Sequence, residues 1–121
     1  MKHCLIVDDS RVVRKIARKI LEELKFTIDE AEDGAKALES CRKKMPDAIL
    51  LDCNMPAVSG VEFLRALRRE PSGEKPTVVF CLTDNDVSLI TEAVGAGANE
   101  YLVKPFDRDI LHEKLADAGL M

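Results

Sequence analysis

The chain has 121 residues, 46% of them hydrophobic and 33% charged, a balance that suits one globular domain with its own core and excludes a disordered or fibrous chain. The net charge of −4 argues against nucleic acid as a partner, and no apolar run is long enough to cross a bilayer. The opening "MKHCLIVDD" has an apolar run of only four residues that ends in two acids, unlike a signal peptide, so a cytoplasmic protein without a membrane partner is predicted.

Five short apolar segments alternate with five amphipathic ones. "HCLIV" (3–7) reads as a strand, and a helix follows in which Val13, Ile16, Ala17, Ile20 and Leu24 share one face. "FTIDEA" (26–31) is the second strand, before a helix from about Gly34 to Lys43. "AILLD" (48–52) precedes a helix carrying Val61, Leu64 and Leu67. "TVVFCL" (77–82) precedes one carrying Val87, Ile90 and Val94. "EYLV" (100–103) precedes the last, with Ile110, Leu111 and Leu115.

Strands that are apolar almost without alternation are covered on both faces, which predicts an α/β fold with a parallel sheet between two helical layers. Right-handed crossovers then point all five strands the same way. Their C-terminal ends share one edge, where such folds place ligands. "EPSGEKP" (70–76) reads as a loop, and "GAGA" (95–98) closes the fourth helix. Gly34 and Gly60 read as backbone permits for tight turns. With no linker in view and the last helix reaching nearly to residue 121, the expectation is a single domain over 1–121 with no output domain. Cys4, Cys41, Cys53 and Cys81 are scattered, and His3 and His112 fall in no zinc spacing, so reduced thiols are expected, with Cys53 notable for its neighbour Asp52.

Asp52 ends a greasy strand and is followed by Cys53, Asn54, Met55 and Pro56. It could simply open a turn. The other strand ends give it company: Asp8 and Asp9 after the first, Thr83 after the fourth, Lys104 after the fifth. Three carboxylates in one crevice repel one another, and a divalent cation relieves that repulsion. Mg²⁺ takes hard oxygen ligands, one or two carboxylates, waters and a phosphate oxygen. Lys104 adds a point charge for phosphate and Thr83 a hydroxyl donor. With no activating histidine, the set suits a carboxylate that attacks a phosphoryl group. Taken singly, Asp8 and Asp9 could be acids favoured by a helix dipole beside Ser10, Thr83 a helix cap, Lys104 a solvated lysine and Tyr101 a strand aromatic.

Taken in order, "LIVDDS" (5–10), "AEDGAKAL" (31–38), "ILLDCNMPAVSG" (49–60), "CLTDND" (81–86) and "EYLVKPF" (100–106) span almost the whole chain. They resemble the receiver domain of two-component response regulators, the stand-alone CheY-like kind. The resemblance implies a flavodoxin-like doubly wound sheet in the order 2-1-3-4-5 with five helices. It implies that Asp52 accepts the phosphoryl group, that Asp9 binds Mg²⁺ directly and Asp8 through water, and that Asn54 offers its backbone carbonyl to the metal, with Mn²⁺ as a substitute. Lys104 is then the acceptor's and the phosphoryl group's contact, Thr83 and Tyr101 form the switch, and Lys104–Pro105 is a cis peptide.

Four positions depart from or tune that pattern. Asp84 stands where most of the family has a small residue, and a carboxylate there could crowd the pocket or repel phosphate. Ser59 stands where Asp is commoner, which reads as neutral. Asn54, Asp84 and Asn85 lie where the family tunes phosphoryl lifetime. The first helix is basic, with Arg11, Arg14, Lys15, Arg18 and Lys19, which reads as a solvated face pairing with Glu22 and Glu23, or as a docking surface for an acidic helix.

The resemblance implies a monomeric switch phosphorylated by a histidine kinase or histidine phosphotransfer domain. It catalyses only its own phosphotransfer and dephosphorylation and signals by protein contact. A chemotaxis regulator that binds a flagellar motor switch protein is favoured. A relay shuttle or kinase regulator remains open, and the partner preferred by the phosphorylated form separates the two. A phosphate-independent interaction module rests on Asp84 alone. An aspartyl phosphatase needs a second Asp two residues beyond the nucleophile, where Asn54 stands, and a DNA-binding role lacks a recognition helix.

Overall fold

Consecutive apolar residues have nowhere to turn but inward, so the central strands of this fold are buried on both faces. In the computed structural model, which describes residues 2–55 and 58–121, β1 (His3–Val7) and β3 (Ala48–Asp52) are buried along their whole length. β4 (Thr77–Leu82) is buried from its second residue on. β2 (Thr27–Ala31) and β5 (Glu100–Val103) form the edges of a five-stranded parallel sheet in the order β2-β1-β3-β4-β5. The flavodoxin-like doubly wound architecture is thus as expected. Pro56 lies outside the described residues.

Helices α1 (Arg11–Glu23) and α5 (Arg108–Asp117) cover one face, burying Ala17, Leu21, Leu111 and Leu115 against Ile6, Leu50 and Cys81. Helices α2 (Gly34–Lys43), α3 (Gly60–Arg69) and α4 (Val87–Ala96) cover the other, around Phe63, Leu64 and Phe80. Burying a large aliphatic or aromatic side chain is worth about 1.5–3 kcal/mol, so these two layers fix the strand ends in place.

Three helical faces differ from the periodic reading. In α1, Ile16 is 52% exposed, and Leu21 is buried instead, one turn beyond Ala17. In α4, Val87 and Val94 are 71% and 57% exposed, and the side packed on the core is Ala93 with the partly buried Leu89, Ile90 and Ala96, so of the expected face only Ile90 turns inward. In α5, Ile110 is exposed while Leu111 and Leu115 are buried. β2 also breaks the pattern: it is an edge strand with Asp29 and Glu30 exposed, as charged edges resist pairing with other chains.

The two glycines expected in turns serve another purpose. Neither Gly34 nor Gly60 has a positive φ. A Cβ on Gly60 would lie 2.5 Å from the Asp52 carbonyl oxygen, and one on Gly34 would lie 3.0 Å from Val58 Cγ1. Close approach to backbone, not a turn, requires glycine at 60, while at 34 the Val58 side chain leaves little room for more. Gly97, by contrast, ends α4 in the left-handed region at φ 114°.

Candidate functional site

Parallel strands carry their C-terminal residues to one edge, and there the sheet gathers charge. Among the described residues the buried polar side chains are His3, Asp8 and Asp52, and two of these three meet at this edge. Asp8 leaves β1 with its backbone N–H donating to the Ala31 carbonyl at 3.1 Å. Asp52 is the last residue of β3, in register with Cys81. Lys104 follows β5 and is drawn in by its own N–H, which donates to the Leu82 carbonyl at 2.7 Å. The Lys104–Pro105 peptide is cis.

Lys104 Nζ donates to Asp8 Oδ2 at 2.8 Å and to Asp52 Oδ1 at 2.9 Å. The other Asp8 oxygen, Oδ1, accepts the Ser10 N–H at 2.9 Å, and Ser10 Oγ caps α1 by accepting from Val13 N. Asp8 therefore both shapes the start of α1 and binds Lys104. Arg14 Nη1 donates to the Asp8 carbonyl at 2.7 Å, fixing the same residue from the helix side. Asp9 is exposed at the open side of the cluster. One carboxylate oxygen from each of Asp8, Asp9 and Asp52 lies within 4.8 Å of the others. This is an oxygen-only donor set of the kind a hard divalent cation takes.

The charges oppose one another. Burial, with the negative charge of Asp8 added, pushes the Asp52 carboxyl above its ordinary value, although the Lys104 hydrogen bond pulls it down. Burial alone would lower the Lys104 ammonium, but its hydrogen bonds to Asp8 and Asp52 outweigh that and hold it well above its ordinary value. Lys104 stays charged while the carboxylates compete for one cation.

The rim is built from two loops. Gly60 N donates to the Cys53 carbonyl at 3.2 Å, folding the loop after β3 back on itself. Ser59 is the N-cap of α3 and forms a reciprocal capping box with Glu62, a role that "SGVE" announces by its Ser-x-x-Glu spacing. A cleft of about 310 Å³ is lined by Cys53, Asn54, Thr83, Asp84, Asp86 and neighbours. Thr83 is exposed and does not cap α4; that cap is Asp86, whose side chain accepts from Leu89 N. Asn85 is exposed in the same turn but does not line this cleft. Tyr101 stands apart from the carboxylates, 37% exposed on the edge strand.

A second groove, about 340 Å³, lies on the other side of Lys104 and is bounded by Val13, Ile16, Thr83, Pro105 and Phe106. Nothing in the spacing of α1 announced it, because its walls come from α1 and from the loops after β4 and β5. The basic residues of α1 divide in two. Arg14 and Arg18 reach Glu30 on β2 at 3.0 and 2.6 Å, and Arg18 reaches Glu22 only at 3.5 Å. Arg11, Lys15 and Lys19 are exposed.

The family model described as "Response regulator receiver domain" matches residues 4–116. The chain belongs to the response regulator receiver domain family. It is 38% identical to the chemotaxis protein CheY of Pseudomonas aeruginosa over 92% of its own length and 90% of that protein's. The CheY4 structure of Vibrio cholerae superposes with a TM-score of 0.93 at 30% identity, covering 98% of both chains. The receiver domain of a sensor histidine kinase of P. aeruginosa superposes at 0.88 with 27% identity, again over 98% of both chains, and carries a magnesium ion coordinated in its active-site cleft. The receiver is a signalling switch of the CheY-like type, and no helix among its described residues is long and apolar enough to cross a membrane.

Proposed function

We propose that this receiver is switched by phosphorylation of Asp52, with the phosphoryl group supplied by a histidine kinase or histidine phosphotransfer domain. The observation that carries the reading is the convergence of Asp8, Asp9, Asp52 and Lys104 at the C-terminal edge of the sheet. The donor set fits Mg²⁺, with Mn²⁺ as a substitute: Asp9 and Asp52 hold it directly, Asp8 through water and Asn54 through its backbone carbonyl. When bound, the metal neutralises phosphoryl oxygens and offsets the repulsion among the three carboxylates.

An Asp52 carboxylate oxygen attacks phosphorus, the phosphorus–nitrogen bond to the donor histidine breaks, and the imidazole leaves with the electron pair. Lys104 holds the acceptor before transfer and a phosphoryl oxygen after it, a task its two short ion pairs already prefigure. Thr83 donates its hydroxyl to the phosphoryl group, and Tyr101 changes rotamer with it. Asn54, Asp84 and Asn85 at the rim set how readily water reaches the aspartyl phosphate. The output is protein contact through α4, β5 and α5, where Val87, Val94 and Tyr101 are already exposed. The relatives named for chemotaxis favour a motor-switch target over a relay partner.

The test is an amide NMR titration with Mg²⁺ and then beryllofluoride, alongside phosphotransfer to wild type and Asp52→Asn. Wild type should respond near Asp9 and Asp52 and then at Thr83 and Tyr101, and D52N should take up no stable phosphoryl group. A D52N protein that labels as well as wild type refutes the assignment.

A further inference from the structure

The single tyrosine of the chain is not free at the surface. Lys114 Nζ of α5 sits 5.1 Å from the centroid of the Tyr101 ring, within cation–π range. Lys114 is held there by Glu100 Oε1 at 3.6 Å, and both partners are less than a third exposed. The sheet's alternation gives the ring a second place to go. Leu102 is buried on the α1/α5 side, so Tyr101 leaves the strand toward the opposite layer, where its register partner Phe80 is buried with α3 and α4. β5 is the edge strand, which allows the ring to reach round the open edge to Lys114.

We propose that Lys114 is a positioning residue that holds the Tyr101 ring at the open edge of the sheet and so keeps the inward rotamer of the switch scarce until the acceptor site is engaged. The inference rests on the Tyr101 switch described above and names what restrains it. A cation over an exposed aromatic face corresponds to about a two- to fivefold bias between two rotamers. By linkage, the same factor must appear in the affinity for any ligand that selects the inward state. Glu100 belongs to the device because it orients the ammonium. Arginine at 114 preserves the interaction, since a guanidinium also stacks on a ring.

The test compares wild type, Lys114→Gln and Lys114→Arg. Tyr101 rotamer populations come from couplings between its ring carbon and the backbone. Tyrosine fluorescence provides a second reading, which the absence of tryptophan leaves uncontaminated. In metal-free buffer, K114Q should raise the inward-to-edge ratio about two- to fivefold, and K114R should match wild type. A K114Q ratio equal to that of wild type, or a K114R ratio displaced as far as that of K114Q, overturns the proposal. With Mg²⁺ present, K114Q should bind beryllofluoride more tightly by the factor seen in the rotamers, and an unchanged affinity also overturns it. If beryllofluoride moves Tyr101 in none of the three proteins, the phosphorylation reading fails, and the metal-free comparison still decides whether Lys114 holds the ring.

Discussion

Replacing Lys104 with methionine tests the electrostatic account of the site. The side chain is 16% exposed, and its two carboxylate partners, Asp8 and Asp52, are 6% and 5% exposed. Removing one partner of a buried ion pair costs about 3–5 kcal/mol. The mouth of the site is open to solvent at Asp9, and this screening brings the cost to or below the lower end of that range, roughly 2–3 kcal/mol at pH 8 without metal. The loss must shrink in acid. Asp52 already has a raised pKa in the folded protein, from burial first and then from Asp8. The native state therefore binds more protons than the unfolded chain above the ordinary carboxyl value of 3.8, and stability falls as pH rises through the folded value. Removing Lys104 raises the folded pKa further, so as the pH falls a proton on Asp52 substitutes increasingly for the missing ammonium. Lys104 contributes no slope of its own here: its folded pKa is raised from 10.5, and its stabilisation is complete below that pH. Urea unfolding in chelator at pH 8 and pH 5 measures both losses. A penalty equal at the two pH values, or under about 0.5 kcal/mol at pH 8, would refute the reasoning, because no surface-pair account predicts the convergence.

The same substitution should tighten Mg²⁺ binding about tenfold, measured by calorimetry at pH 8, because a competing positive charge has gone. Gly60→Ala should cost about 1–3 kcal/mol and shift the Asp52 and Cys53 amide resonances, since its Cβ would enter the 2.5 Å space before the Asp52 carbonyl. In native protein at pH 8, Cys53 should be the first cysteine to react with a thiol reagent, as peptide mapping would show. Cys4, pushed up to about 12 by burial, and the equally buried Cys81 should react only on unfolding.

The legible and illegible parts of this protein divide on physical lines. β1, β3 and β4 were readable because a run such as "TVVFCL" has only one home, a strand covered on both faces. The acids at their ends were readable because parallel strands must finish together. α4 was misread because a period identifies side chains that share a stripe but not which stripe is buried. Of Val87, Ile90 and Val94 only Ile90 packs against the core, beside Leu89, Ala93 and Ala96, while the two valines face outward. Ser59 was passed over as a neutral change although its spacing to Glu62 is a helix-start signal. Phe106 beside Ile16, Lys114 over Tyr101 and Arg68 across to the Gly97 carbonyl at 2.6 Å were invisible, because each joins elements that only the sheet order brings together.

The position of Asp52 makes chemical sense in this frame. An exposed carboxylate would be fully solvated and a poor partner for one specific cation. A carboxylate buried alone would take up a proton and cease to be a nucleophile. At the last residue of β3 the backbone is held in register with Cys81 of β4, one residue past the end of its pairing with β1, while Lys104 supplies enough positive charge to oppose protonation and too little to neutralise Asp8, Asp9 and Asp52 together. The site is thus left with an excess of negative charge at its open side. On the proposed phosphorylation of Asp52, that excess should favour a divalent cation first and a phosphoryl group only after it. That order would follow from charge balance, without requiring any moving part.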